Sequence, residues 1–96
     1  MKIASFSHKG LERMFLRADG RRLPPQSIDK LRKMLGFLQA MNDVDELRSL
    51  PSWRAHMLSG AKAGVWSLSV TRNWRLTFRV DSENRAIYDL DFEDYH

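Results

Sequence analysis

The sequence predicts an α+β fold, N-terminal helices packed on one face of a mainly antiparallel β-sheet, and three observations predict it. Apolar residues recur at helical spacing through the first half of the chain. From Trp53 onward they recur at every second residue. Turn-forming pairs such as Asp19-Gly20 and Arg72-Asn73 separate the segments. Helices first and strands afterward imply two layers, with the helices covering one side of a meander.

Taken in order, Met1–Phe6 is a short strand with Ile3 as its apolar member. Ser7 is a candidate cap for a helix over about 8–18, where Leu11, Met14 and Phe15 fall at i, i+3, i+4. Asp19-Gly20 ends it. Pro24-Pro25 open a second helix, because proline suits the first turn. Ile28, Leu31, Leu35, Leu38 and Met41 form its apolar stripe, backed by Met34, with Arg32, Lys33 and Gln39 off it. Asp43 and Glu46 have capping-box spacing and start one more short turn. Pro51 closes the helical half.

Period two then takes over. Trp53, Ala55 and Met57 alternate with Arg54 and His56. Trp66, Leu68 and Val70 alternate with serines and Thr71, and Trp74, Leu76, Phe78 and Val80 with Arg75, Thr77 and Arg79. Tyr88, Leu90 and Phe92 alternate with Ile87, Asp89 and Asp91. Each run reads as a half-buried antiparallel strand. Arg72-Asn73 reads as a tight hairpin turn with Asn in the left-handed conformation, and 81–85 as a longer hairpin loop.

Composition narrows the classes. The 96 residues suit a single domain, 1–96. Three Trp and five Phe mark a folded chain. The absence of cysteine excludes disulfides, thiolate metal sites and cysteine nucleophiles, and it fits a reducing cytoplasm. No apolar run approaches a membrane span, and MKIASFSHKG has no signal-peptide core, so a cytoplasmic location without a membrane partner is expected. The net charge of +4 is uneven: residues 1–80 hold 15 Lys/Arg against 6 Asp/Glu, and residues 81–96 hold 1 against 6. A basic body ahead of an acidic tail points to a polyanionic partner for the body.

The layer argument turns that charge into a surface. Apolar faces must meet the helices, so Arg54, His56, Arg75, Thr77 and Arg79 face solvent together. Polar residues on such a face are ordinary. Several arginines beside a histidine are the kind that binds RNA.

No metal site or cofactor is expected. His8, His56 and His96 are not spaced as ligands, and Gly60 and Gly64 form no phosphate loop. Metal-free RNA cleavage needs only a base for the 2′-hydroxyl, a cation at the phosphate and an acid for the leaving oxygen. His56, Arg75 and the cluster Asp94-Tyr95-His96 supply those types.

Several segments together resemble the HigB toxins of the RelE/ParE superfamily of bacterial toxin–antitoxin systems. They are Phe6-Ser-His-Lys-Gly-Leu-Glu12, Trp53-Arg-Ala-His-Met-Leu-Ser-Gly60, Gly64-Val-Trp-Ser67, Asn73-Trp-Arg-Leu-Thr-Phe78 and Glu93-Asp-Tyr-His96. The likeness runs nearly end to end. It implies a RelE/ParE-like fold and a ribosome-dependent messenger-RNA endonuclease, an mRNA interferase that inhibits translation. It also implies a helix-turn-helix, HigA-like antitoxin, through which alone the toxin would meet operator DNA. By the same resemblance His56, Arg75, Asp94, Tyr95 and His96 are the catalytic positions. One position departs: Ser59 stands where many members carry a lysine. Arg54, Lys62 and Arg79 are the nearby cations expected to bind RNA. Two alternatives belong to other classes: a ParE-like toxin that binds DNA gyrase without cutting RNA, and a catalytically weak regulator that binds its antitoxin.

Overall fold

The computed structural model describes residues 1–94. Strand β1 (Lys2–Ile3) leads to helix α1 (Lys9–Arg17) and helix α2 (Ile28–Ala40). Four strands follow: β2 (His56–Met57), β3 (Trp66–Ser69), β4 (Trp74–Asp81) and β5 (Ala86–Asp94). They form one sheet in the order β1-β5-β4-β3-β2, antiparallel except where β1 runs parallel to β5. The expected α+β arrangement, helices against one side of a mainly antiparallel sheet, is the one observed.

The core lies between the helices and one sheet face. Leu11 and Met14 from α1, and Leu31, Met34, Leu35 and Leu38 from α2, pack on Leu68, Leu76, Phe78, Leu90 and Phe92. Each such large apolar side chain, fully buried, contributes roughly 1.5–3 kcal/mol. The apolar stripe expected on α2 is the buried one, and Ile28 and Phe37 sit half-buried at its margins.

Capping sets the helix ends. The α1 N-cap is His8, not Ser7: its Nδ1 accepts the Leu11 N–H at 3.0 Å, using a ring nitrogen where a hydroxyl was expected. Pro25 begins a single 3-10 turn, Pro25–Ser27, that runs into α2. Asp43 and Glu46 form the reciprocal capping box, heading the 3-10 segment Val44–Ser49.

Three expectations about the strands are corrected. No strand runs from Trp53. Pro51–Trp53 is another 3-10 turn, Arg54 caps it in the left-handed conformation at φ 50°, and only His56–Met57 pairs with β3. The proline and the cap together use up the residues that the alternation had assigned to a strand. The β3–β4 connection spans residues 70–73, closed by the Val70 and Thr71 N–H groups on the Trp74 carbonyl at 2.9 and 3.2 Å. Asn73 does not take a positive φ there, because the longer loop spreads the reversal over four residues.

The third correction concerns β5. Tyr88 is out of phase with Leu90 and Phe92, and Ile87 is buried in its place. The register shifts between Thr77 and Arg79, where Asp89 adopts φ 55° and its N–H donates to Ser5 Oγ at 2.9 Å. This bulge inserts one residue and flips the alternation for the first third of the strand. Everything past it, including Asp91 and Glu93, keeps the phase that builds the outer face.

Candidate functional site

The sheet face turned away from the helices is organised in cross-strand rows. One row runs His56, Ser67, Thr77, Asp91 and the next Ser69, Arg75, Glu93. Arg79 stands opposite Tyr88 beyond them. The alternation that turns Trp66, Leu68, Leu76 and Phe78 toward the helices therefore delivers His56, Arg75, Thr77 and Arg79 to the other face, where Thr77 is buried rather than facing solvent as expected.

Ser67 joins the two central groups. It is fully buried, it sits beside His56 in the ladder, and Arg75 Nη1 donates to its hydroxyl at 3.4 Å. His56 is exposed, and its Nδ1 lies 2.8 Å from the Arg54 carbonyl oxygen. A carbonyl only accepts, so Nδ1 carries a proton and any lone pair of the ring belongs to Nε2. The Arg54 backbone is what aims that carbonyl. A non-glycine residue at φ 50° costs on the order of 1 kcal/mol, and here the strained cap fixes a histidine tautomer.

Glu93, opposite Arg75, anchors a second network. Thr77 Oγ1 donates to it at 2.6 Å and Lys62 Nζ at 3.0 Å. The Thr77 hydroxyl is the chief reason its carboxyl titrates below the usual range; Lys62 adds to this, against partial burial. Lys62 arrives on a short turn, Gly60–Lys62, whose N-cap is the exposed Ser59. The ammonium therefore reaches the Arg75 row from three residues beyond Ser59. Gly64 follows at φ 91°, and a Cβ there would meet the Arg79 guanidinium at 3.1 Å.

The remaining expected residues fall around this centre. Arg79 and Lys62 line a shallow hollow of about 210 Å³ that also takes in Asp89, Asp91 and Glu93. Arg54 instead lines a larger groove of about 510 Å³ on the other side of Arg75. Asp94 ends β5 exposed, across from Trp74 and one residue past the Arg75–Glu93 pair. Tyr95 and His96 lie outside the described residues. His8 serves as the α1 cap and packs its ring edge on Phe92, which stacks on Trp74 at 4.6 Å.

Sequence reasoning missed Ser67, Thr77 and Glu93 as a set that holds the reactive groups. Their signal was available in the β3, β4 and β5 alternation, but only the ladder register shows which residues stand side by side. Among the described residues, no three His, Asp or Glu side chains gather as metal ligands, and no helix is long and apolar enough to cross a membrane.

Comparison with known proteins gives the chain's family and fold. Residues 4–96 match the family model described as RelE-like toxin of type II toxin–antitoxin system HigB. The chain is 35% identical over 94 residues to endoribonuclease HigB of Proteus vulgaris, covering 98% of this chain and 99% of that one. Solved structures share the fold. YafQ from E. coli strain BL21(DE3) superposes with a TM-score of 0.61 at 11% identity, over 98% of this chain and 93% of that one. A chain of the toxin–antitoxin complex RelBE2 from Mycobacterium tuberculosis gives 0.51 at 20% identity, with both chains fully covered.

Proposed function

The chain belongs to the RelE-like HigB toxins of type II toxin–antitoxin systems, and from that premise we propose that it is an endoribonuclease that cuts messenger RNA on the translating ribosome. Residues 1–96 act as one toxin domain in the cytoplasm. A helix-turn-helix antitoxin neutralises the toxin and carries it to operator DNA.

The observation that carries this reading is the pairing of His56 and Arg75 across Ser67 on one open sheet face. His56, with Nδ1 on the Arg54 carbonyl, presents Nε2 as the base that takes the proton from the 2′-hydroxyl. The freed oxygen attacks the adjacent phosphorus. Arg75 neutralises the charge that builds on the non-bridging oxygens, as a donor already oriented before the reaction begins. The bond to the 5′-oxygen then breaks, and an acid from the Asp94, Tyr95, His96 cluster protonates it. The products are a 2′,3′-cyclic phosphate and a 5′-hydroxyl. Every proton is moved by a side chain, so no metal ion is needed.

The site's shape supports dependence on the ribosome. The groups stand on a sheet face flanked by a hollow and a groove that both open to solvent, so the protein alone does little to bend RNA into the in-line geometry that attack requires. The ribosome holds the message and supplies that geometry.

The test uses programmed ribosomes carrying a message with a single 2′-deoxyribose at the cleavage position, read by primer extension, in parallel with the all-ribose message and with chelator. Cleavage of the ribose message with chelator present, and none of the deoxy message, is the expected result. Cutting of the deoxy message would overturn the mechanism, and rapid specific cutting of naked transcript would overturn the ribosome requirement.

A further inference from the structure

Thr77 is buried although it stands on the outer face of the sheet. Part of its cover comes from a connection that belongs further along the sheet. Residues 58–65 join β2 to β3, and Ala61, Lys62 and Val65 of that segment share a hollow with Thr77, Arg79 and Glu93. In the sheet, β4 lies between β3 and β5. Lys62 nevertheless places its ammonium 3.0 Å from Glu93 on β5, so the segment spans the intervening strand. A connection between neighbouring strands has no need to do this. Residues 58–65 therefore form a strap folded back over the outer face.

The strap is tied at both ends. At its base the Leu58 N–H donates to the Val65 carbonyl at 2.8 Å, and the Val65 N–H donates to the Lys62 carbonyl at 3.1 Å. Its far end is fastened at Glu93, which accepts from Lys62 on one carboxylate oxygen and from the Thr77 hydroxyl on the other. The Lys62 side chain is largely exposed, and an exposed ion pair adds little to stability. What the pair does is hold the strap in one place.

The connectivity shows what is held. The strap starts at the residue after β2, and β2 pairs with β3 through His56 and Met57, both exposed. An edge strand this short keeps its position weakly without further support. Glu93 directly precedes Asp94 on β5. One carboxylate thus connects the segment that carries the proposed base to the strand that carries the proposed acid cluster.

We propose that Glu93 is a positioning residue for RNA cleavage, latching the 58–65 strap across β4 and so fixing where His56 stands relative to β5. The proposal rests on the reading that His56 and Arg75 react on this face. Glu93 has no need to touch RNA, because it acts through Lys62 and Thr77.

The test pairs two variants of the full chain. Glu93→Gln keeps an oxygen for the Thr77 hydroxyl and removes the charge that holds Lys62. Lys62→Met removes the other half of the latch at an exposed position, and it carries the test should Glu93→Gln fail to fold. In the free protein, each should speed amide exchange at Leu58 and Val65 by roughly two- to fivefold, the scale of an exposed ion pair, with Phe78 in the central strand unchanged. On programmed ribosomes, each should slow single-turnover cleavage at saturating toxin by about tenfold. That is less than the roughly hundredfold that a displacement of about 1 Å can cost. The toxin concentration for half-maximal cleavage should stay the same. The two changes together should slow cleavage no more than either alone, since both open one latch. The reversed pair, Glu93→Lys with Lys62→Glu, should recover most of the rate.

Unchanged exchange at Leu58 and Val65 in both variants overturns the latch. Faster exchange with an undiminished maximal rate overturns the positioning role, and so do additive losses in the double variant. A loss in Lys62→Met that Glu93→Gln does not share also overturns it, since Lys62 would then be an RNA contact. Should the wild type itself cut no message, the functional reading fails and takes the positioning role with it, while the exchange measurement still decides whether the latch exists.

Discussion

Replacing Arg75 by Ala isolates the cation from the fold. Arg75 is partly exposed on the outer face, and its Ser67 contact, at 3.4 Å, is at the long limit of a hydrogen bond. Losing that contact costs at most about 0.5 kcal/mol of stability. Removing a preoriented donor from a developing oxyanion costs on the order of 3 kcal/mol in the transition state, which is roughly a hundredfold or more in rate. The two effects thus differ several-fold in size and appear in different measurements. Single-turnover cleavage on programmed ribosomes should fall about a hundredfold for Arg75→Ala. Arg75→Lys keeps the charge without the fork and should fall between. Ser67→Ala, which removes one contact of the guanidinium without removing the cation, should slow cleavage by a smaller factor. Combined with Arg75→Ala it should add nothing, because its effect passes through Arg75. Arg75→Ala cleaving within about threefold of wild type would refute the assignment. Additive losses in the double variant would refute the role given to Ser67.

Further expectations follow from the same network. His56→Gln should lower single-turnover cleavage by roughly 10²–10⁴-fold, the range of general acid–base catalysis, without weakening ribosome binding; weakened binding at an unchanged rate would make His56 an RNA contact. Thr77→Val removes the 2.6 Å bond to Glu93 and should cost about 1.5 kcal/mol, seen as a melting temperature roughly 6–12 °C lower. Because the folded Glu93 carboxyl is held below its ordinary range, its contribution is present above that range and fades as pH falls through the lowered value; the Val variant should therefore lose less stability than wild type on acidification. Asp19, pushed down to about 2 by Arg21, should contribute in the same sense between about pH 4 and 2, and Asp19→Asn should flatten that part of the acid melt slightly. Asp89→Val places a β-branched residue at φ 55° and should cost at least about 1 kcal/mol, whereas Asp89→Gly should not.

Most of the fold was legible because periodicity is a local signal. Leu31, Leu35 and Leu38 repeat on one helical face, and Leu76 and Phe78 repeat on one strand face, so burial follows from spacing alone. The misjudged elements are those where one residue changes the phase. Asp89 inserts itself into β5 and moves Tyr88 to the outer face, opposite Arg79. Arg54 takes a left-handed cap without glycine to announce it, and converts an alternating stretch into a turn. In both places the chain adopts a conformation that its residue type permits but does not favour. Propensity cannot announce it; neighbours such as the Ser5 hydroxyl on the Asp89 N–H decide it.

The candidate site was legible in part for the same reason. His56 and Arg75 were expected on one face because alternation assigns faces. Which residues stand beside them depends on register, a relation between strands that no single strand carries. Hence Ser67, between them in the ladder, was invisible until β2, β3 and β4 were aligned. The larger groove, lined by Lys30 and Arg72 beside Arg54 and Arg75, goes one step further. Lys30 sits 42 residues before Arg72 in the chain, on a helix whose periodicity speaks only of its apolar side. Their meeting depends on how α2 and the Pro51–Trp53 turn abut the end of the β3–β4 hairpin. A net charge of +9 over residues 1–80 says that anions are welcome somewhere. Only the tertiary arrangement shows which of those cations share a hollow with Asp89, Asp91 and Glu93 and which line the larger groove.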